Sequence, residues 1–138
     1  MTVTAVKEDS GRSFYLVDTS GGALSSLAAG VARGLGIEAS AATTSPRVDV
    51  PGEIAKVLEE VGMRLPDARA ELHDAGTKAA GREVVFLGRE APSGLAGAQA
   101  WDVALYQGNG ELERLSAARI ARDEIERRLE LARSRSSR

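Results

Sequence analysis

Hydrophobic positions along the chain fall into two patterns, short continuous runs and longer stretches in which apolar residues recur every three or four places. Ser13-Phe14-Tyr15-Leu16-Val17 is a short run closed by the turn residues Asp18-Thr19-Ser20-Gly21-Gly22, the pattern of a buried strand. Leu24, Leu27, Ala28, Val31 and Leu35 then follow at helical spacing until Gly34 and Gly36. A second strand is predicted over Ile37 to Ala42, with Thr43-Thr44-Ser45-Pro46 as the loop behind it. Asp49 and Pro51 open a helix that carries Ile54, Val57, Leu58 and Val61 on one face and ends at Gly62. Met63 to Gly81 is mixed, with Pro66, a short helix around Ala68 to His73, and Gly76. Glu83-Val84-Val85-Phe86-Leu87 combines β-branched and aromatic residues between Gly81 and Gly88 and reads as a strand. Residues 88 to 97 read as a loop, and Ala98 to Val103 as the last strand. Gly108-Asn109-Gly110 leads into a long helix in which Leu112, Leu115, Ala118, Ala121, Ile125, Leu129 and Ala132 lie three or four apart.

Strands alternating with helices at this spacing imply parallel β-α-β units, hence an α/β fold with helices on both faces of a small sheet. Residues 13–132 form the single expected domain. Residues 1–12 are a flexible lead-in ending in Asp9-Ser10-Gly11-Arg12, and 133–138 a disordered basic tail too polar to pack. In such folds ligands bind at the carboxyl ends of the strands, where Asp18 to Ser26 sits.

Composition narrows the chemistry. The 138 residues hold 18 Lys and Arg against 20 Asp and Glu, a net charge of -2, so no overall positive field gathers nucleic acid or anionic lipid. Cysteine is absent, which excludes disulfides, thiolate nucleophiles and a thiol relay, and a single histidine excludes a multi-histidine metal centre. No apolar run approaches a bilayer span and the first residues lack the apolar core of a signal peptide, so a cytoplasmic protein is expected, with no cofactor.

A Gly-rich turn between a first strand and a first helix can cradle an oxyanion with its amides and the positive helix end. Around that turn the chain resembles the low-molecular-weight protein tyrosine phosphatase and thioredoxin-linked arsenate reductase superfamily over most of residues 13–132. Leu16-Val17-Asp18-Thr19-Ser20-Gly21-Gly22-Ala23-Leu24-Ser25 stands where that family has its C-x-G-N-x-x-R-S type loop, and Ile37 to Thr43 looks like the second strand with its S-A-G-T segment. Gly62-Met63-Arg64-Leu65 looks like G-I-D-L, Trp101-Asp102-Val103-Ala104-Leu105-Tyr106 like W-D-V-P-D-P, and Ala121 to Glu126 like the closing R-D-E-I helix. The resemblance implies a phosphotyrosine phosphatase I-like fold, a four-stranded parallel sheet of order 2-1-3-4.

The departures fall on the chemistry. The family's nucleophilic cysteine maps to Asp18, its phosphate-clamping arginine to Leu24 and its general-acid aspartate to Leu105, so no catalytic residue is expected. A catalytically inactive binding or regulatory module follows, with Asp18, Thr19, Ser20, Gly21, Gly22, Ser25, Trp101 and Tyr106 as candidate binding residues. Its partner is an unspecified protein, with self-association into a homodimer as a further expectation, and neither nucleic acid nor membrane. The alternatives are a divergent phosphatase-type hydrolase using Asp18, with a metal held by Asp18 and Asp102, and a small-ligand sensor using the old cleft. In the leading reading the Asp18 carboxylate accepts hydrogen bonds from the amides of residues 20 to 25 as an internal substitute for the lost anion.

Smaller features have plainer readings beside functional ones. His73, next to Asp74, is a candidate ligand or a hydrogen-bonded surface histidine. Trp101 and Tyr106 form either an aromatic patch for a partner or a half-buried strand end. Ser25 and Ser26 are modification or anion sites, or local caps. Arg114, Arg119, Arg122, Arg127 and Arg128 form an acidic-partner surface or, with the interleaved glutamates, a salt-bridged solvent face.

Overall fold

A computed structural model describes residues 13–73, 81–95 and 97–136; the expected lead-in 1–12, residues 74–80 of the mixed stretch, and residues 137–138 of the tail lie outside the described residues. Elements run β1 (Ser13–Asp18), α1 (Ala23–Gly34), β2 (Glu38–Thr43), α2 (Gly52–Glu59), β3 (Glu71–Leu72), β4 (Glu83–Leu87), a 3-10 turn (Ser93–Leu95), β5 (Gln99–Trp101) and α3 (Glu111–Ser136).

The sheet is parallel, with strand order β3-β2-β1-β4-β5. Its inner order agrees with the expected four strands, and the fifth is the short edge strand β3. That strand replaces the short helix expected around Ala68 to His73. The free edge of β2 offers acceptors, and the His73 N–H takes the Thr43 carbonyl at 2.8 Å, so pairing overrides local helical preference.

Alternation along β1 divides the core. Phe14 and Leu16 face the helices, joining Leu27, Val31, Ile54, Leu58, Ile125 and Leu129 in the larger cluster. Tyr15 and Val17 face the other way, packing with Ala42, Phe86 and Leu95. Right-handed crossovers explain the unequal cover: β1 to β2 to β3 steps one way across the sheet and puts α1 and α2 on one face, whereas the β4 to β5 connection with its 3-10 turn must cross the other. The helix α3 returns to the first face.

Three boundaries differ from the periodic reading. Val61 is exposed because α2 ends at Glu59, before the stripe reaches it. Leu112 is 76% exposed: at 100° per residue it lies about 120° around α3 from the centre of the buried stripe. That stripe instead admits Arg122, whose guanidinium donates to the Val57 carbonyl at 2.8 Å and to Glu60 Oε1 at 3.0 Å. Where an unpacked tail is expected from Arg133, α3 continues to Ser136, and Arg133 reaches the Leu35 carbonyl at the end of α1. No helix among the described residues is long and apolar enough to cross a membrane.

Candidate functional site

The loop between β1 and α1 is built on two glycines with positive φ, Gly21 at 76° and Gly22 at 108°. No side chain fits there: a Cβ on Gly21 would come within 2.9 Å of the Pro46 carbonyl, and one on Gly22 within 2.9 Å of the Ala70 Cβ. Gly22 is also the N-cap of α1, and having no side chain it leaves the first amides of the helix to be satisfied from elsewhere.

Asp18 satisfies them. Its carboxylate is 0% exposed. Oδ1 accepts from the amides of Ser20 at 3.1 Å and Gly22 at 3.2 Å, while Oδ2 accepts from the Ser25 amide at 2.6 Å and the Ser20 hydroxyl at 3.0 Å. Ser20 extends the network, its Oγ accepting from the Leu24 amide at 3.1 Å. The carboxylate therefore sits where the inward-pointing amides of an open loop would hold an anion, as the loop reading predicts.

Thr43, at the end of β2 and outside the expected site, completes the cradle. Its Oγ1 accepts from the Gly21 amide at 3.2 Å and the Ser45 amide at 3.2 Å, and donates to the Asp18 carbonyl at 3.2 Å. Its signal in the sequence is its place at the end of the S-A-G-T-like segment. Thr19 is exposed, its carbonyl accepting from the Ser45 hydroxyl at 2.8 Å.

Leu24 turns into the larger core cluster rather than into the loop. Ser25 and Ser26 are buried, so neither is an open modification or anion site. Trp101, expected either in an aromatic patch for a partner or as a half-buried strand end, stands at the end of β5 and is buried: 2% exposed, it packs with its ring centroid 6.5 Å from that of Phe14. Tyr106 is 47% exposed, so the two aromatics form no common patch.

Above the loop lies a cleft of about 140 Å³ lined by Ser20, Val48, Glu53, Leu105, Tyr106 and Arg114, among others. Its charged groups neutralise each other, with Arg114 Nε 3.0 Å from Glu53 Oε2, and Arg114 also holds the Gly108 carbonyl at 3.2 Å. Asp102 lies at the surface, 4.0 Å from Arg89, and no group of three metal-binding side chains occurs among the described residues.

The remaining candidates resolve into local structure. His73 Nδ1 is 3.0 Å from the Tyr15 hydroxyl, and its Nε2 is buried without a partner among the described residues. The arginines of α3 are paired: Arg119 and Arg122 with Glu60, Arg127 and Arg128 with Glu124, and Arg114 with Glu53. Hydrogen bonds from Arg119 and then Arg122 hold Glu60 down to about 2 against its partial desolvation, and those from Arg127 and Arg128 do the same for Glu124, also to about 2.

This arrangement, a strand, a Gly-rich loop and a helix at the carboxyl edge of a parallel sheet, is an α/β fold shared with solved arsenate reductases. No family model matches the chain, and no curated protein does. Among solved structures, an arsenate reductase in its phosphate-binding state superposes with a TM-score of 0.70 at 18% identity, covering 90% of this chain and 98% of that one. An arsenate reductase from Archaeoglobus fulgidus gives 0.67 at 16% identity, over 88% of this chain and 98% of that one. A thioredoxin-dependent arsenate reductase from Corynebacterium glutamicum gives 0.64 at 16% identity, over 97% and 70%. At such identities the likeness establishes the fold.

Proposed function

We propose that this chain is a catalytically silent protein on the arsenate reductase and low-molecular-weight phosphatase fold, acting as a binding or regulatory module. The observation that carries this reading is the buried Asp18 carboxylate, already engaged with the amides of Ser20, Gly22 and Ser25. A phosphate or arsenate brought to the same amides would lie roughly 4 Å from that carboxylate, a repulsion of about 4 kcal/mol at an effective dielectric of 20. That alone weakens binding by about a thousandfold. Leu24 supplies no guanidinium to offset it, Leu105 has no proton for a leaving group, and the chain has no thiol to attack or to relay electrons.

The alternatives fit less well. A hydrolase using Asp18 needs that carboxylate within reach of a substrate, and it is sealed. A small-ligand sensor needs more room than a cleft of about 140 Å³, since ligand pockets start at roughly 300 Å³.

Calorimetric titration with phosphate and arsenate, together with assays on an aryl phosphate and on arsenate with a thioredoxin system, tests the reading. Neither binding nor turnover is expected, whereas Asp18→Cys combined with Leu24→Arg should regain anion affinity. Turnover that Asp18→Ala abolishes, or phosphate seated on the loop amides of the unaltered protein in a crystal, would overturn it.

A further inference from the structure

At the opposite end of the sheet, the strand β2 is only partly covered. It runs from Glu38 to Thr43, but β3 pairs only with Ala42 and Thr43. Main-chain groups alternate between the two neighbours of a strand, and two bonds set the phase: the Thr44 amide donates to Asp18 on the β1 side, and the Thr43 carbonyl accepts from His73 on the β3 side. Residues 39, 41 and 43 therefore turn their amides and carbonyls outward. The two-residue β3 takes those of Thr43 and the Ala41 carbonyl, leaving the Ala41 amide and both groups of Ala39 without a strand partner among the described residues.

The chain that should continue β3 backwards is diverted. Pro66 cannot donate to a ladder, and bends at Asp67 and Ala68 carry the backbone off the edge. What remains is a groove of about 330 Å³, the size of a small ligand pocket, with the β2 edge as its floor. Ala29 and Arg33 of α1 form one wall, and Pro66, Ala68 and Arg69 the other. Glu38, Ser40 and Glu71 line the groove too, but the alternation of β2 and the pairing of Glu71 with Ala42 set them on the sheet face away from α1. No ion pair among the described residues engages Arg33 or Arg69, so on the α1 side two exposed guanidiniums border the slot.

We propose that this groove binds an extended acidic peptide segment of a partner protein, which adds to the β2 edge as a short strand and sets a carboxylate between Arg33 and Arg69. Main-chain bonds to Ala39 and Ala41 hold the segment, the alanines leave room for its side chains, and the arginines select its charge. About four residues fit along Glu38 to Ala41 at 3.3 Å each. Arg69 also borders Gly21 and Gly22 on its other side, but the exposed Ala39 to Ala41 edge is outside the Asp18 network, and the proposal holds whether or not that loop is silent.

Titrating 15N-labelled protein with the capped peptide Thr-Val-Asp-Val-Thr tests it. Saturable shift changes are expected at Ala39, Ala41, Arg33 and Arg69. Methylating one alternate set of peptide amides should weaken binding at least about tenfold, the value of one lost hydrogen bond or more, while methylating the other set should leave it nearly unchanged. Ala39→Pro removes an outward donor that β1 does not use and should abolish binding; Arg69→Glu, which touches no ladder bond, should weaken it at least about tenfold, as expected for lost charge-assisted contacts. The proposal is overturned by the absence of saturable shifts at about millimolar peptide, the weakest affinity of interest. It is equally overturned by indifference to both methylation patterns, by unchanged affinity in Arg69→Glu, or by shifts centred on Leu105 to Gln107.

Discussion

Replacing Asp18 with asparagine changes one atom of a sealed site, and its cost follows from the four bonds that the carboxylate accepts. An asparagine can keep its carbonyl at the Oδ1 position, where it still serves the Ser20 and Gly22 amides. Its amide nitrogen then falls at the Oδ2 position, where it can donate to the Ser20 hydroxyl but faces the Ser25 N–H at what is now 2.6 Å. Two donors cannot share that contact. The loop loses a charge-assisted bond, about 1.5 to 3 kcal/mol, and keeps a buried N–H without an acceptor, which overlaps with that loss and adds at most 1 to 2. A destabilisation of about 2 to 4 kcal/mol is expected, larger than the 1 kcal/mol typical of an exposed helix cap, because no water replaces the lost acceptor. Urea unfolding of Asp18→Asn against the parent chain measures it, with a shift in midpoint at constant slope. A loss within about 0.5 kcal/mol, the scale of surface substitutions, would refute the internal-anion account of the loop.

Trp101→Ala should cost about 3 to 5 kcal/mol in the same unfolding measurement, and under about 1 would mean that the ring is not in the core. Gly22→Ala should cost more than about 1 kcal/mol, since the new Cβ meets Ala70 in a backbone region that L-residues avoid; a neutral result would show that the loop can shift. Glu60 has its folded pKa lowered to about 2 from 4.5, so its pairing stabilises the fold above about pH 4.5 and is lost as pH falls from there towards 2. Glu60→Gln should therefore flatten the acid limb of a pH series of melting temperatures, and identical limbs in the two proteins would count against the pairing.

The strand, loop and helix around Asp18 were legible because each step has a local cause: a continuous apolar run, glycines that alone tolerate the turn, and helical spacing directly after it. The acceptor role of Asp18 followed from its position beneath the amides. What stayed hidden depends on contacts between distant segments. The strand β3 exists only because the β2 edge is there to pair with, and its two residues carry no pattern of their own. The orientation of Trp101 is decided by its register against Leu87 in β4, which puts it on the helix side of the sheet. Arg122 occupies an apolar stripe because the Val57 carbonyl and Glu60 wait there, partners 65 and 62 residues away.

Asp18, Leu24 and Leu105 are mutually compatible around the loop. Leu24 adds to the core, whereas an arginine at that position would bring a guanidinium that needs an anion in the loop. Asp18 balances the inward amides and the positive helix end from within. Leu105 lines the cleft beside Glu53 and packs against the core, where a carboxylic acid would add a second negative charge near Glu53. The loop holds its shape through the Asp18 side chain, which serves three of its amides and the Ser20 hydroxyl.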